Sequence, residues 1–169
     1  MKNTVRVIRR FDVLRLAVGR GFSLIELLMV VSIMGIIMAV AAPRLSRLKD
    51  QGEMASAMTR FTRAVMAARQ SAIQRGKNAY FKHDNSAIWV IVDTTGTNAD
   101  SVIVTAKFDL NAEHHVEITA PSGLTSITYD PRGVSSQATK QVFHFKHRNN
   151  LQDSLCVSKL GNTIREKCP

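Results

Sequence analysis

The feature that most constrains this chain is an apolar segment of 21 residues, FSLIELLMVVSIMGIIMAVAA, at positions 22–42. A helix rises about 1.5 Å per residue, so this segment forms a helix of roughly 31 Å. That length matches the hydrocarbon core of a bilayer. The segment is therefore predicted to be a membrane-spanning helix, followed by a head of a little over 120 residues, the length of one small domain.

The charge before this segment predicts its orientation. Residues 1–21 contain six basic side chains and Asp12 as their one acidic side chain. A basic flank is typical of the cytoplasmic side of a membrane helix, so the chain after Pro43 is predicted to lie on the opposite side of the membrane. A cleaved secretory signal peptide is the alternative, because residues 39–41 (AVA) loosely match its cleavage site, although its apolar region is usually shorter, about 7–15 residues.

A carboxylate lies inside the apolar segment. Glu26 is its fifth residue, and a charge within a membrane helix costs at least ~2.5 kcal/mol. Either Glu26 lies near the membrane–water interface and remains hydrated, or it has a function that offsets this cost. A protonated amine about 4 Å from the carboxylate would stabilise it by roughly 4 kcal/mol of Coulomb energy at an effective dielectric constant of 20.

The residues around Glu26 resemble a known processing motif. Residues 20–26, RGFSLIE, are similar to the cleavage site of type IV prepilins and type II secretion pseudopilins. The resemblance implies that a prepilin peptidase cuts between Gly21 and Phe22 and methylates the amine of Phe22. It also implies that Glu26 neutralises the terminal amine of a neighbouring subunit in a filament and so sets the register between subunits.

Helical periodicity continues beyond the apolar segment. Pro43 stands where the family commonly bends its helix, and apolar residues then recur at spacings of three and four as far as Ala72. Arg75 and Gly76 form a typical helix end. We predict one helix over residues 22–74. The expected organisation is a cleaved leader at 1–21, a membrane and filament-core half at 22–43, an amphipathic half at 44–76 and a β-rich periplasmic head at 77–169.

After Gly76 the pattern changes to short β-rich runs separated by turn residues. Strands are expected at residues 79–83, 87–92, 102–108, 115–119, 126–129, 142–147 and 155–160, with Trp89 and Phe143 in the core. The predicted fold class is α+β: the long helix packs on an antiparallel head of one sheet or two small ones. This is also the pilin fold that the resemblance implies.

Three head segments carry a further resemblance. Residues 67–76 (AARQSAIQRG), 127–133 (ITYDPRG) and 157–161 (VSKLG) are similar to minor pilins and pseudopilins of the FimT/GspH type. Pro43 and the stretch AIQRGK at 72–77 favour a pilus over a secretion system. The resemblance implies a low-abundance subunit that primes or caps a pilus, with adhesion or DNA capture as tip functions. An H-type pseudopilin of type II secretion is the alternative.

Little else in the chain indicates chemistry. Cys156 and Cys168 are the two cysteines, and in an oxidising periplasm they are predicted to form a disulfide, with two free thiols as the alternative. The histidine pairs at 114–115 and 144–147 point to opposite faces of a strand and are expected to be exposed, so no metal site is predicted. No catalytic or cofactor motif is present, and we predict neither an enzyme nor a bound cofactor.

Net charge suggests a nucleic-acid partner, but only weakly. Of the net charge of +10, half lies in residues 1–21, and residues 140–169 contain most of the remainder. Non-specific contact with double-stranded DNA is one expectation for this segment, and a solvated or subunit-docking surface is the other. At the position of the family's Gly-Arg-x-Arg segment this chain has GNTIREK, residues 161–167. The candidate contacts are Lys140, Lys146, Arg148, Lys159, Arg165 and Lys167.

The expected partners follow from the resemblance and the apolar helix. They are other pilins or pseudopilins, the prepilin peptidase and membrane lipid, besides DNA. The expected location is the inner membrane, in a single pass with a periplasmic head, before incorporation into a pilus filament.

Overall fold

The computed structural model describes residues 22–94, 101–121, 123–137 and 139–165. The chain divides into two compact units, one ending at Ala41 and the other beginning at Ala42. The helices and strands in chain order are α1 Leu24–Arg75, β1 Ala79–His83, β2 Ala87–Asp93, β3 Ser101–Asp109, α2 Leu110–His114, β4 Val116–Thr119, β5 Ser126–Tyr129, β6 Gln141–His147, β7 Gln152–Val157 and β8 Thr163–Arg165.

The first unit contains the apolar start of α1. The backbone N–H of Leu27 donates to the carbonyl of Ser23 at 3.1 Å and closes the first turn. All residues from Phe22 to Ala41 are exposed. By length and composition, α1 is able to cross a membrane.

The second unit contains the rest of α1, which becomes amphipathic. Pro43 lies inside the helix and does not end it, while the bend predicted there stays a prediction. Buried residues then recur every three or four positions, as expected for one face of a helix. They are Met54, Ala57, Met58, Phe61, Ala64, Val65, Ala68, Ser71 and Ala72.

The end of α1 confirms the predicted cap. Gly76 has φ +59°, a conformation that glycine adopts without strain. The N–H of Gly76 donates to the carbonyl of Ile73, and the N–H of Lys77 donates to the carbonyl of Ala72. These bonds satisfy carbonyls that the helix end leaves unpaired.

The head contains two antiparallel four-stranded sheets. The first sheet has the strand order β3-β2-β1-β5, and the second has the order β4-β6-β7-β8. Their inner faces pack on α1, where the ring of Phe61 lies 4.9 Å from Phe81 of the first sheet and 4.8 Å from Phe143 of the second. The predicted α+β class is confirmed, and the head has two sheets.

Two short elements escape the sequence prediction. One is α2, a helix of five residues. The side chain of Asp109 caps its N-terminus by accepting hydrogen bonds from the N–H groups of Asn111 and Ala112. His115 was expected in a strand, but it has φ +55° and ends α2, so the strand begins at Val116. The other element is β8, which pairs with β7.

Two further expectations need correction. The last predicted strand, 155–160, ends at Val157, because the chain then turns and Gly161 has φ +72°. Trp89 was expected in the core, but it is only half-buried on the outer face of β2, where the Lys107 ammonium lies 5.0 Å from its ring centroid. Phe143 is in the core, as expected.

Candidate functional site

Most of the exposed large apolar side chains among the described residues lie in the N-terminal part of α1. The apolar residues 22–42 are exposed without interruption, and Phe22 is 77% exposed. Glu26 lies in the first turn of the helix, where a carboxylate is favourable beside unpaired N–H groups. An apolar surface of this extent requires a membrane or other protein chains to cover it.

Only the second residue of the predicted cleavage pair, Gly21 and Phe22, is among the described residues. Gly21 lies outside the described residues, whereas Phe22 and Ser23 precede the first helical residue, Leu24. Phe22 therefore lies two residues before the first residue of α1 and four residues before Glu26. Cleavage at Gly21 and methylation of Phe22 stay predictions.

A polar cluster joins α1 to the turn between β6 and β7. Nε2 of His147 lies 3.0 Å from Oε2 of Glu53, and Nδ2 of Asn149 donates to Oδ2 of Asp50 at 2.7 Å. Lys49 Nζ lies 3.7 Å from Oε1 of Glu53. Of the four histidines expected to be exposed, only His144 is. His147 is fully buried, and His114 and His115 are half-buried.

The hydrogen bonds assign the tautomer of His147. The N–H of Asn149 donates to Nδ1 at 3.3 Å, so Nδ1 carries no proton. Nε2 then carries the proton and donates to Glu53. This hydrogen bond holds the pKa of Glu53 below its ordinary value of 4.5; burial of the carboxyl opposes the shift, and Lys49 adds to it.

The cluster has donor atoms that suit a metal ion. Asp50, Glu53 and His147 bring one ligand atom each to within 4.8 Å of one another. A histidine that ligates a metal through Nε2 donates from Nδ1 to an acceptor, whereas here Nδ1 accepts from the N–H of Asn149. The hydrogen bonding therefore fits a structural contact between α1 and the second sheet, and it does not fit a metal centre.

A second junction gathers the three head segments that carry the FimT/GspH resemblance. Nε of Arg69 donates to the carbonyl of Gly133 at 3.1 Å. A methyl group on Gly133 would lie 2.6 Å from Cδ1 of Ile73, and one on Gly161 would lie 3.2 Å from Oη of Tyr129. Both glycines have positive φ. The end of α1, the turn after β5 and the turn after β7 thus meet around Arg69.

The structure does not gather the predicted DNA contacts into one patch. Lys146 and Arg148 lie at one end of the β6–β7 hairpin, whereas Lys140 and Lys159 lie at the other. Lys140 and Lys146 are six positions apart along an extended chain, which is roughly 20 Å. Lys167 lies outside the described residues. DNA contact stays a prediction.

Arg165 is engaged within the head. Its guanidinium contacts Oδ2 of Asp153 through Nε at 3.0 Å and through Nη2 at 3.0 Å. The contact joins β8 to β7 and reduces the charge that Arg165 offers to a phosphate. Sequence reasoning misses this pair because Asp153 and Arg165 are 12 residues apart and meet only when β8 pairs with β7.

The cysteine prediction is only partly visible. Cys156 is buried in β7 and is not a free thiol. Cys168, its predicted partner, lies outside the described residues. The pairing stays a prediction.

A long helix with an exposed apolar start, packed further along on two small antiparallel sheets, defines the pilin-like class of protein. Residues 57–161 match the family described as type II transport protein GspH. Residues 19–42 match the prokaryotic N-terminal methylation motif. The chain belongs to the GspH family, whose pilins and pseudopilins are structural subunits that assemble with one another.

Solved structures agree with this fold. The type IV minor pilin FimU of Pseudomonas aeruginosa is 15% identical, with a TM-score of 0.54, over 71% of this chain and 92% of that chain. The minor pseudopilin EpsH from the type 2 secretion system of Vibrio cholerae is 12% identical, with a TM-score of 0.50, over 67% of this chain and 94% of that chain. A search of curated proteins found no match.

Proposed function

We propose that this protein is a minor type IV pilin, a low-abundance subunit that primes or caps a pilus filament. The observation that carries the proposal is the uninterrupted exposure of the apolar residues 22–42, joined in one helix to the amphipathic stretch that the head buries. Lipid covers this surface before assembly. The corresponding helices of other subunits cover it in the filament.

The membrane stage follows from the same segment. The basic residues before it hold the N-terminus in the cytoplasm, and the chain crosses the inner membrane once with its head in the periplasm. The prepilin peptidase then cuts between Gly21 and Phe22 and methylates the new amine. Removal of residues 1–21 leaves 148 residues, with 17 basic and 12 acidic side chains.

Glu26 sets the axial register of the subunit. An exposed carboxylate in an apolar helix loses its water when neighbouring helices close around it, and this is costly without a cation. The terminal amine of an adjacent subunit supplies that cation. Because the pair is favourable at only one axial offset, it selects that offset.

The experiment replaces Glu26 and measures two steps separately. Glu26→Gln is expected to be processed like the wild type and to be strongly depleted from sheared filaments. Glu26→Asp keeps the carboxylate and is expected to recover part of the incorporation. Normal incorporation of Glu26→Gln would sink the register role.

An H-type pseudopilin of type II secretion is the second candidate, and the match to the GspH family supports it. The two candidates use the same helix and head, and they differ in the machine that contains them. Deletion of the gene separates them. Loss of surface pili with normal protein secretion supports the pilin, and the reverse result supports the pseudopilin.

A further inference from the structure

The edge of the first sheet is formed by an unusually open strand. β3 is the outermost strand of its sheet, and none of its nine residues is buried. Val102 is 43% exposed and Ile103 is 66% exposed. Val102 pairs with Val92 and Ile103 pairs with Ile91 in the neighbouring strand, so the two side chains lie on opposite faces of the sheet.

Edge strands usually carry features that prevent pairing with other chains, such as lysines and β-bulges. β3 has both: Lys107 lies in its second half, and its pairing with β2 is irregular from Ile103 to Phe108. Residues 101–106, SVIVTA, have no charge and are rich in β-branched residues, which favour strand pairing.

A groove lies beside the second half of β3, between this strand and α1. It has a volume of about 380 Å³, with Ala64, Ala67, Ile88 and Phe108 among its lining residues and Arg60 and Arg63 beside them. The Arg60 guanidinium lies 4.6 Å from the ring centroid of Phe108. In this groove Ala67 and Phe108 are half-buried, whereas Ala64 and Ile88 are buried. The groove lies next to a strand edge with no neighbour among the described residues.

The charge of this groove is unbalanced. Within the described part of the chain, the ion pairs do not include Arg60 or Arg63. Guanidinium groups bind carboxylates through paired, charge-assisted hydrogen bonds. A partner that fits this groove therefore has an acidic residue at this end.

We propose that β3 is a docking edge for an extended segment of another protein chain, which adds a fifth strand to the first sheet. The segment has β-branched apolar residues opposite 101–104, where they cover Val102 and Ile103 on the two faces. It has a carboxylate at the other end, which binds Arg60 and Arg63. Main-chain hydrogen bonds supply affinity and the two arginines supply direction, as in other cases of strand addition.

The test uses the full chain in detergent micelles and a fluorescent heptapeptide, VTVTVEE, as the probe. Anisotropy measures the binding. Saturable binding of VTVTVEE is expected, with at least about tenfold weaker binding of VTVTVKK. VTVTVEE with an N-methyl group on each of residues 2–7 has no internal amide N–H donor on either edge, and loss of its binding is expected because the contact is made through the backbone.

Protein variants then locate the contact. Ile103→Lys places a charge on the edge and is expected to weaken binding about tenfold or more. Leu160→Lys is the control, because Leu160 is similarly exposed, at 50%, and lies in the turn after β7. Arg60→Glu combined with Arg63→Glu is expected to reverse the preference and favour VTVTVKK. Thermal unfolding verifies that each variant is folded.

Three results would overturn the proposal. The first is the absence of saturable binding of VTVTVEE up to about 1 mM, and the second is equal binding of VTVTVEE to the wild type and to Ile103→Lys. The third is self-association of the chain that Ile103→Lys abolishes, measured by analytical ultracentrifugation. The occupant would then be a second copy of this chain and not an acidic partner.

Discussion

His147 and Glu53 form a hydrogen bond of 3.0 Å between β6 and α1, across 94 residues of sequence. His147 is fully buried, and 16% of the Glu53 side chain is accessible. Because Nδ1 of His147 accepts from the turn and Nε2 donates to Glu53, the imidazole is held at both nitrogens. The contact fastens the second sheet to the helix just beyond the apolar segment.

Replacement of Glu53 is expected to destabilise the head. Glu53→Ala leaves the Nε2–H of a buried imidazole without an acceptor, which costs about 1–3 kcal/mol. Thermal unfolding of the full chain in detergent measures the loss. Glu117→Ala is the control, because Glu117 is exposed on β4; an equal loss in both variants would contradict the role of the pair.

The same pair predicts a pH dependence. The pKa of Glu53 is lowered in the folded state, so its contribution is fully present above the unfolded value, near 4.5, and is lost as the pH falls through the folded value. Glu53→Gln has no charge to lose. The stability difference between wild type and Glu53→Gln is therefore expected to be constant near pH 7 and to shrink below about pH 4.5. A difference that grows toward acid pH would be inconsistent with this sign.

Gly133 is expected to accept a side chain less readily than Gly123. Its φ is +76°, and a methyl group would lie 2.6 Å from Cδ1 of Ile73. Gly123 has φ +81°, and a methyl group there would have no atom within 4 Å. Gly123→Ala is therefore expected to lower the free energy of unfolding by the backbone strain alone, about 1–2 kcal/mol. Gly133→Ala adds a steric cost of about 1–3 kcal/mol. Comparable melting temperatures of the two variants would show that the junction around Arg69 is loose.

The predicted disulfide is testable by thiol titration. We expect no reactive thiol in the denatured, unreduced chain and two after reduction, because Cys156 and Cys168 pair. Reduction is expected to lower stability by about 2–3 kcal/mol, as the bond closes a short loop. Titration of two thiols without reductant would exclude the bond.

DNA contact predicts a specific salt response. If duplex DNA binds at the Lys146 and Arg148 end of the hairpin, replacement of both with alanine reduces the slope of log K against log salt by up to about 1.8. Arg132→Ala is the control, since Arg132 is paired with Asp130. Absence of any gel shift at low salt would remove DNA from the list of partners.

Much of the fold was predictable because its elements follow simple periods. α1 was placed within two residues at each end, at Leu24 and Arg75, because spacings of three and four continue past Pro43. β1 and β5 were predicted with their observed bounds. α2 was not predicted because a helix of five residues is too short to show a helical period. Asp109 is recognisable as its N-cap only when the position of the helix is known.

The contacts between distant segments were not predictable. The residues next to His147 in sequence do not indicate that it is buried. Its partner Glu53 is distant in sequence, and the sequence around Glu53 is that of an ordinary amphipathic helix. Arg165 looked like a free cation because its partner, Asp153, is reached only when β8 folds back on β7. For Arg69 and Gly133, the family resemblance marked both segments, but only the fold shows that they touch.

The central claim is that this chain is a processed subunit of a pilus filament. The most direct measurement is mass spectrometry of the N-terminal peptide from filaments sheared off the cell surface. We expect a peptide that begins with methylated Phe22, absent when Gly21→Ser blocks cleavage. Recovery of the chain only from membranes, with residues 1–21 still attached, would contradict the account.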